Sequence, residues 1–494
     1  NRIVIVSSFP QVHEDAVKAI MSSAGLSPLM LQVVDLRDVS ACPGEKCDEA
    51  DLDKIKDLLR MGVSKANLLE PQEIFSVAVN KSALVVGGGV AGMVTSLSLA
   101  EQGFGVYLVE KSDHLGGNAL SLNTTWKNED VQPYLKDLIS KVEKNDKITI
   151  FLESEVKSVR GTPGNFESVI ARKDGTETIN YGVAIIATGA REYKPSEYLY
   201  GENDKVLTLL ELDEKLRDDA KALKKTKSVA FIQCVGSRVP ERPYCSRVCC
   251  THTVEDAIKL KELNPDMDVF VLYRQMRTYG LREQLLLNAR HQKVQFIQYS
   301  LDEKPVVSAN KKKLKLIVKD PILGKNIEID PDLLVLATAI EPNDNTALSK
   351  LFHVPLNSDG FFQETKDEGL RFSGAKVDGV FFCGLSHYPK SLDETIVQAE
   401  AVAAQAAALL KKDMYKVERQ VAVVNPDFCA VCCTCVRTCP YEIPYIGEDA
   451  YSVIDPSRCM GCGACVTECP GKAITLQNFT DQQLFSEIDA LLSA

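Results

Sequence analysis

Eight cysteines near the end of the chain fall into two copies of one spacing. Cys429, Cys432, Cys435 and Cys439-Pro440 read C-x2-C-x2-C-x3-C-P, and Cys459, Cys462, Cys465 and Cys469-Pro470 repeat it. Thiolates at this spacing hold 4Fe-4S cubanes: three close cysteines wrap one cluster, and the fourth of each run reaches across a pseudo-twofold to the other. One cluster is therefore expected on Cys429, Cys432, Cys435 and Cys469, and a second on Cys459, Cys462, Cys465 and Cys439. Structural zinc is the alternative, but it needs only C-x2-C pairs and not the proline-ended step. Cys433, between ligands, reads as a spare thiol. Paired clusters at this spacing can carry electrons.

Four more cysteines, Cys234, Cys245, Cys249 and Cys250, lie in the segment QCVGSRVPERPYCSRVCC. Their number suits a third cubane. Cys245 and Cys249 share a face if the segment is helical, and Gly236, Pro240 and Pro243 allow a loop to fold Cys234 back towards them. A redox disulfide with buried structural thiols is the other reading. The position adds weight to the cluster. After the strand expected at 229–232, a two-domain flavoprotein would carry G-x-G-x-x-G to seat a nicotinamide pyrophosphate, and this loop carries cysteines instead.

A glycine fingerprint does occur earlier. The apolar run 83–86 meets Gly87-Gly88-Gly89-Val90-Ala91-Gly92, and the next strand, 105–109, ends in Glu110. Gly87 allows the tight turn, Gly89 lets a pyrophosphate approach the backbone at a helix N-terminus, and Gly92 lets helix and strand pack closely. Glu110 would accept from ribose hydroxyls. Gly116-Gly117 soon after the acid, and Ala187-Thr188-Gly189 further on, favour FAD over NAD. Lys111, Asn118 and Val156 complete the expected set around the adenosine and pyrophosphate. Towards 384–396, Gly384 and Leu385 follow a strand and a helix begins near Asp393. Backbone N–H groups of 391–396, with Thr395 and Ile396 among them, would face the flavin pyrimidine and favour negative charge there. Lys390 would add a full positive charge, or is simply a surface lysine after Pro389.

These residues need scaffolds of 494 residues in all, enough for about three domains. The expected fold class is α/β, with two dinucleotide-binding-type domains. A small N-terminal α/β segment spans 1–80. Residues 81–190 and 331–412 form the FAD domain, 227–330 form an inserted NAD-like domain carrying the third cluster, and 420–478 form the ferredoxin domain. The C-terminal stretch 479–494 has helical periodicity suited to docking, on a partner or on its own chain.

Composition narrows the class. Forty-five per cent hydrophobic and 25% charged residues are globular averages, and a net charge of −11 repels nucleic acid and acidic lipid. The basic run 311–313 reads as a solvated turn. No apolar stretch reaches the ~18 residues of a membrane span, since Gln398, Glu400 and Gln405 interrupt the Ala-rich 396–410 segment, so no direct membrane insertion is expected. Sixteen cysteines without a signal peptide point to metal or redox chemistry in a reducing, cytoplasmic setting. No constellation suggests hydrolysis, and His252, His291, His353 and His387 read as core or surface residues.

The segments VVGGGVAGM, YLVEKSDHLGGN, IIATGAREYKP, FIQCVGSRVPERPYCSRVCC, VLYRQMRTYGLREQL, FFCGLSHYPKSLDETIVQAE and the double cysteine motif resemble the flavin-containing A-subunit family of heterodisulfide reductase. That family has a thioredoxin-reductase-like core. The resemblance covers essentially the whole chain and implies that Cys234, Cys245, Cys249 and Cys250 ligate a 4Fe-4S cluster beside the flavin. It implies one FAD and three clusters per chain. It also implies partners: iron-sulfur or disulfide-reducing subunits of a large redox complex, ferredoxin or a hydrogenase or dehydrogenase module, and a second copy in a homodimer. Some members split an electron pair at FAD. Departures are the lack of a ferredoxin insert after the glycine doublet, Thr338-Ala339 where the family has Thr-Gly, and Cys42 and Cys47, which match the family's N-terminal cysteines only loosely and are expected to bind nothing. The functional expectation is an electron-transfer flavoprotein subunit. The alternatives are an NAD(P)H:ferredoxin oxidoreductase, or a relay for a quinone-linked or ring-reducing complex.

Overall fold

The computed structural model describes residues 2–8, 10–37, 39, 49–72, 74–310, 313–364, 378–417 and 419–493. Cys42, Cys47 and residues 311 and 312 of the basic run lie outside them. Short apolar runs build two parallel sheets, each buried on both faces, as continuous hydrophobic strands require. The first has the strand order Val380–Phe382, Val183–Ile186, Ser82–Val86, Gly105–Val109, Ile148–Phe151. Its residues alternate between two cores. Ala83, Val85 and Ile185 pack under the helices Val90–Glu101 and Leu392–Leu410. Leu84, Val86 and Ile186 pack against Phe166, Ile170 and Tyr181 of a three-stranded antiparallel sheet, Glu155–Thr162, Asn165–Arg172 and Gly175–Tyr181.

The second sheet repeats the plan in the order Val206–Thr208, Leu333–Thr338, Ser228–Val235, Asp268–Tyr273, Gln295–Gln298. Val229 and Phe231 face the helices Leu209–Asp218 and Cys249–Leu263, and Ala230 and Ile232 face the antiparallel strands Val306–Asn310, Lys313–Asp320 and Lys325–Ile329. One expectation is corrected here. Leu333–Thr338, placed by sequence with the flanking domain at 331–412, pairs with Ser228–Val235 and Val206–Thr208 and so belongs to the inserted sheet. Five buried apolar residues and a buried threonine fit the centre of either sheet, and only the hydrogen-bond ladder decides. The chain crosses between the sheets through the antiparallel pair Ala190–Glu192 and Ile340–Pro342.

The N-terminal unit pairs Ile3–Ser7 with Leu31–Asp35 in parallel and packs helix Glu49–Ala66 over a core of Met21, Met30, Ala66 and Leu69. It ends sooner than the expected boundary at 80. Phe75–Ala78 leaves it to pair with Met414–Val417 beyond the long C-terminal helix of the first domain. The stretch at 479–494 forms helix Asp481–Leu492, which docks on this unit. Gln483 Nε2 donates to Leu68 O at 2.9 Å, and Ser64 Oγ donates to Ser486 O at 2.9 Å.

Candidate redox site

The strand Ser82–Val86 ends in the glycine turn, and Gly89 caps helix Val90–Glu101 with its N–H groups open. The glycines are required for different reasons. A Cβ on Gly92 would overlap the Gly87 carbonyl oxygen, and one on Gly87 would overlap that of Ala187, so both are dictated by the protein's own packing. A Cβ on Gly89 would meet nothing within 4 Å. Its freedom is unused by the fold, which fits a ligand phosphate approaching the helix N-terminus. Val90 and Ala91 are buried in the first turn. The loop carrying the second glycine pair lies directly over the turn: Gly116 N donates to Gly88 O at 2.9 Å, and a Cβ on Gly117 would stand 3.2 Å from Gly89 Cα.

Glu110 is already engaged. Its carboxylate accepts from Gly88 N on one oxygen and from Ser112 N and Oγ, at 2.8 and 2.7 Å, on the other. That fixes it beside the turn, with lone pairs left for a ribose. Asn118 Nδ2 donates to Ala190 O, and Asn343 Nδ2 to Thr188 O, both at 2.8 Å, pinning the Ala187-Thr188-Gly189 bend against the glycine doublet loop. Two expected contributors supply no side chain here. Lys111 is 84% exposed and paired with Glu155, and Val156 packs in the core with Val86, Val109 and Phe151, so only their main chains could face a cofactor.

At the other end, Ser391 caps helix Leu392–Leu410, whose first turn holds Thr395 and Ile396. Gly384 N donates to Gln398 Oε1 at 3.0 Å, which draws Gly384 and Leu385 against that turn. Lys390 is no surface lysine: it is 4% exposed, and its Nζ donates to Gly384 O and Tyr388 O. Burial lowers its pKa to about 7, with Arg247 adding to the effect and the Cys383 thiol opposing it. His387, held by Gln398, is lowered to about 3 by burial and by the Lys390 charge.

The cysteine loop closes over this end. Helix Cys249–Leu263 starts at Cys249, so Cys245 lies in the loop before it and not on a shared helical face, correcting that expectation. Cys234 reaches the group differently, from a bulge near the end of Ser228–Val235 with a left-handed φ of 60°. The four thiols sense one another. Cys249 is raised well above its usual value by donating to Cys250 and by burial, with the charges of Cys234 and Cys245 adding. Cys250 falls to about 7 because it accepts from Cys249 and is drawn down by Arg277 and Arg238 against its burial. Arg247 N donates to Cys245 Sγ at 3.3 Å, and the buried Arg274 Nε and Arg238 Nη1 have no partner. Thiols flanked by the Arg247 amide and by the guanidinium groups of Arg238 and Arg274, each with one buried N–H left over, fit an anionic cluster better than a neutral disulfide.

A cavity of about 170 Å³ joins the two halves. Its walls include Cys249 and His252 on one side and Asn118, Leu385 and Lys390 on the other, with Leu122 and Trp126 between. Arg247 latches them: its Nη1 donates to Pro389 O at 3.1 Å and pairs with Glu394 at 3.3 Å. Arg282 donates to Ser391 Oγ at 2.9 Å. Sequence reasoning passed over both arginines, and the one signal was their place inside otherwise informative segments.

In the C-terminal module, one small cavity is lined by Cys429, Cys432, Cys435 and Cys469 together with Cys433, and a second by Cys439, Cys459, Cys462 and Cys465, so each gathers the first three motif cysteines of one run and the last of the other. Amides of Ser452, Ala422 and Ala473 donate to Cys429, Cys459 and Cys469 at 3.3 to 3.4 Å. Cys465 is pushed up to about 12 by burial and by its neighbours Cys459, Cys439 and Cys462. Cys433 has φ 58°, and Val431 has φ 53°, where the second run has Gly461 and Gly463 at 65° and 75°. The wrap demands left-handed residues at both places, so Cys433 holds a turn rather than a ligand position.

This fold and these thiol groups define a flavoprotein-type oxidoreductase subunit with an iron-sulfur module. Residues 81–236 match the family described as pyridine nucleotide-disulphide oxidoreductase, and 452–475 match the 4Fe-4S binding domain. The A subunit of the H(2):CoB-CoM heterodisulfide,ferredoxin reductase of Methanothermobacter thermautotrophicus is 31% identical over 100% of this chain and 88% of its own length. The iron-sulfur A subunit of the CoB–CoM heterodisulfide reductase of Methanocaldococcus jannaschii is 30% identical over 100% of this chain and 90% of its own. The chain belongs to the heterodisulfide reductase A-subunit family. The first of these alignments spans 589 positions against 494 residues here, so that relative has insertions this chain lacks. Among solved structures, a Lactococcus lactis thioredoxin reductase is similar with TM-score 0.48 and 15% identity, over 67% of this chain and 99% of that one. Among the described residues no helix is long and apolar enough to cross a membrane.

Proposed function

We propose that this chain is the FAD and iron-sulfur electron-transfer subunit of a heterodisulfide-reductase-like complex. FAD would lie along 87–92, 116–118 and 384–396, and three 4Fe-4S clusters would be held by Cys234, Cys245, Cys249 and Cys250 and by the two crossed sets of the C-terminal module. The observation that carries this is the shared cavity, with Cys249 in one wall and Leu385 and Lys390 in the other. Bound FAD supplies the exchange between paired and single electrons. The protein's part is to hold and to insulate. The amides of 391–396 and the Lys390 ammonium favour negative charge at the pyrimidine end. Leu122, Trp126 and Leu209 keep the wall apolar, and Arg247 keeps the cysteine loop pressed against Pro389. In the C-terminal module Cys432 and Cys462 are exposed, which gives electrons an exit towards a partner.

The relatives' names place them as subunits, and two of the partner classes expected above, ferredoxin and a hydrogen-oxidising module, are in keeping with the words "ferredoxin" and "H(2)" in one of them. We extend the proposal to a homodimer inside such a complex and to the cytoplasm, where free thiols persist; none of the described cysteines is in a disulfide. Anaerobic purification with iron, sulfide and flavin analysis tests the core of it: about twelve irons and one FAD per chain are expected, and about eight irons would remove the loop cluster. Electron bifurcation would show as equal yields of reduced ferredoxin and of a second reduced acceptor in the reconstituted complex, and unequal yields exclude it. Rapid flavin bleaching of the isolated chain by NADH would favour the oxidoreductase alternative, against which stands the cysteine loop in place of a second glycine turn.

A further inference from the structure

At the wall of the same cavity, with His252 in the wall and two carboxylates behind it, three side chains converge that electron transfer does not use. His252 and Asp256 are four apart on helix Cys249–Leu263 and so share one face. Asp213 meets them from helix Leu209–Asp218. One nitrogen and two carboxylate oxygens lie within 4.8 Å of one another, with His252 Nε2 2.7 Å from Asp213 Oδ2 and 3.6 Å from Asp256 Oδ2. The set is almost sealed: Asp213 is 1% exposed and Asp256 0%.

Buried carboxylates are as a rule fully hydrogen-bonded. Neither oxygen of Asp256 has a hydrogen-bond partner, nor has Asp213 Oδ1, nor Oε1 of the neighbouring Glu255. Lys259 Nζ stands 3.9 Å from Asp256 Oδ1, beyond hydrogen-bond reach. A tetrahedral zinc holds its ligand atoms about 3.3 Å apart, and the His252–Asp213 and His252–Asp256 separations of 2.7 and 3.6 Å lie on either side of that spacing, so an ion would be seated by side-chain shifts of about half an ångström or more.

We propose that Asp213, His252 and Asp256 form a zinc site, with water in the fourth position. The donor set of one imidazole and two carboxylates suits zinc better than the cluster iron, which is held by thiolates. The ion would tie the helix that begins with Cys249 and Cys250 to its neighbour and so stiffen the cavity wall from behind. This does not depend on which electron partners the chain serves.

Elemental analysis of the anaerobically purified full chain, with its flavin and iron retained, tests the proposal. About one zinc per chain is expected beside the iron. Asp256→Asn and Asp213→Asn should each weaken zinc binding by on the order of a hundredfold while iron and flavin counts stay as in the wild type. If a variant does not fold, the wild type serves: zinc should be removable by a chelator with a fall in Tm, and zinc chloride alone should restore it. Absence of zinc in the purified chain together with no Tm response to added zinc overturns the site. Equal zinc in wild type and Asp256→Asn overturns it as well.

Discussion

The two parallel sheets share one plan down to the antiparallel sheet on the outer face, and they part company at the turn between first strand and helix. After Ser82–Val86 the chain turns on glycines and exposes the helix N-terminus; after Ser228–Val235 it bulges, wanders through a proline-containing loop and starts its helix with Cys249-Cys250. In the first case the peptide dipoles and bare backbone are left open to an anionic ligand. In the second the same place is filled by thiols, and guanidinium groups of Arg238, Arg274 and Arg277 replace the amides as the source of positive potential. The difference teaches that this architecture supplies a crevice and not a ligand preference; a few residues in one turn decide whether the crevice suits an anionic nucleotide or an anionic cluster.

The largest expected effect lies in the first turn. Gly92→Ala drives a Cβ into the Gly87 carbonyl and should cost more than about 4 kcal/mol, seen as insoluble or unfolded protein. Gly89→Ala meets no protein atom, so the flavin-free Tm should stay the same while flavin affinity falls by at least about tenfold, or about 1.4 kcal/mol. Equal flavin content in Gly89→Ala and wild type would break the comparison. In the second turn, Cys249→Ser should remove about four irons per chain and leave flavin in place; an unchanged iron count would return the loop to the disulfide reading.

A smaller effect distinguishes the far end of the crevice by pH. Burial lowers Lys390 from 10.5 to about 7, so between those values the unfolded chain binds more protons than the folded one. In flavin-depleted protein this contribution makes stability rise with pH across that window, and Lys390→Met should remove the rise. Denaturant melts of both proteins at a series of pH values check it, and identical pH slopes would show that Lys390 is not titrating as its burial requires. Arg247→Ala should cost about 1 kcal/mol and slow electron equilibration between flavin and loop cluster without changing either count; unchanged rates would mean that the latch does not set the contact. The control lies outside both sheets. Gln483→Ala breaks the capping box with Thr480 and the bond to Leu68, for about 1 kcal/mol in thermal stability and no change in redox content.

Much of the site was legible because it rests on spacing along the chain. The glycine turn, Glu110 at the end of the next strand and the eight C-terminal cysteines are local patterns whose chemistry follows from residue type. Other features depended on contacts with distant parts of the chain. Lys390 follows a proline in a polar segment and is nonetheless buried, because the Gly384 carbonyl and the inserted domain close over it. His252 read as an ordinary core or surface histidine; its four-residue spacing to Asp256 was visible, but Asp213, thirty-nine residues earlier, was not. The helix Asp481–Leu492 was legible from its periodicity, but only the packed chain shows that it docks on the N-terminal unit through Gln483, Ser486 and Glu487 and leaves Phe485, Ile488 and Leu492 exposed.

The sequence alone determined the ligand types and the turn chemistry, because thiol spacing, glycine positions and the acid after a strand act within a dozen residues. Tertiary structure decided which sheet Leu333–Thr338 joins, that a bulge brings Cys234 to Cys249 and Cys250, and that one cavity touches both Cys249 and Lys390. A buried strand satisfies its side chains equally well in either sheet, and a thiol has no preferred partner until the backbone brings one within reach.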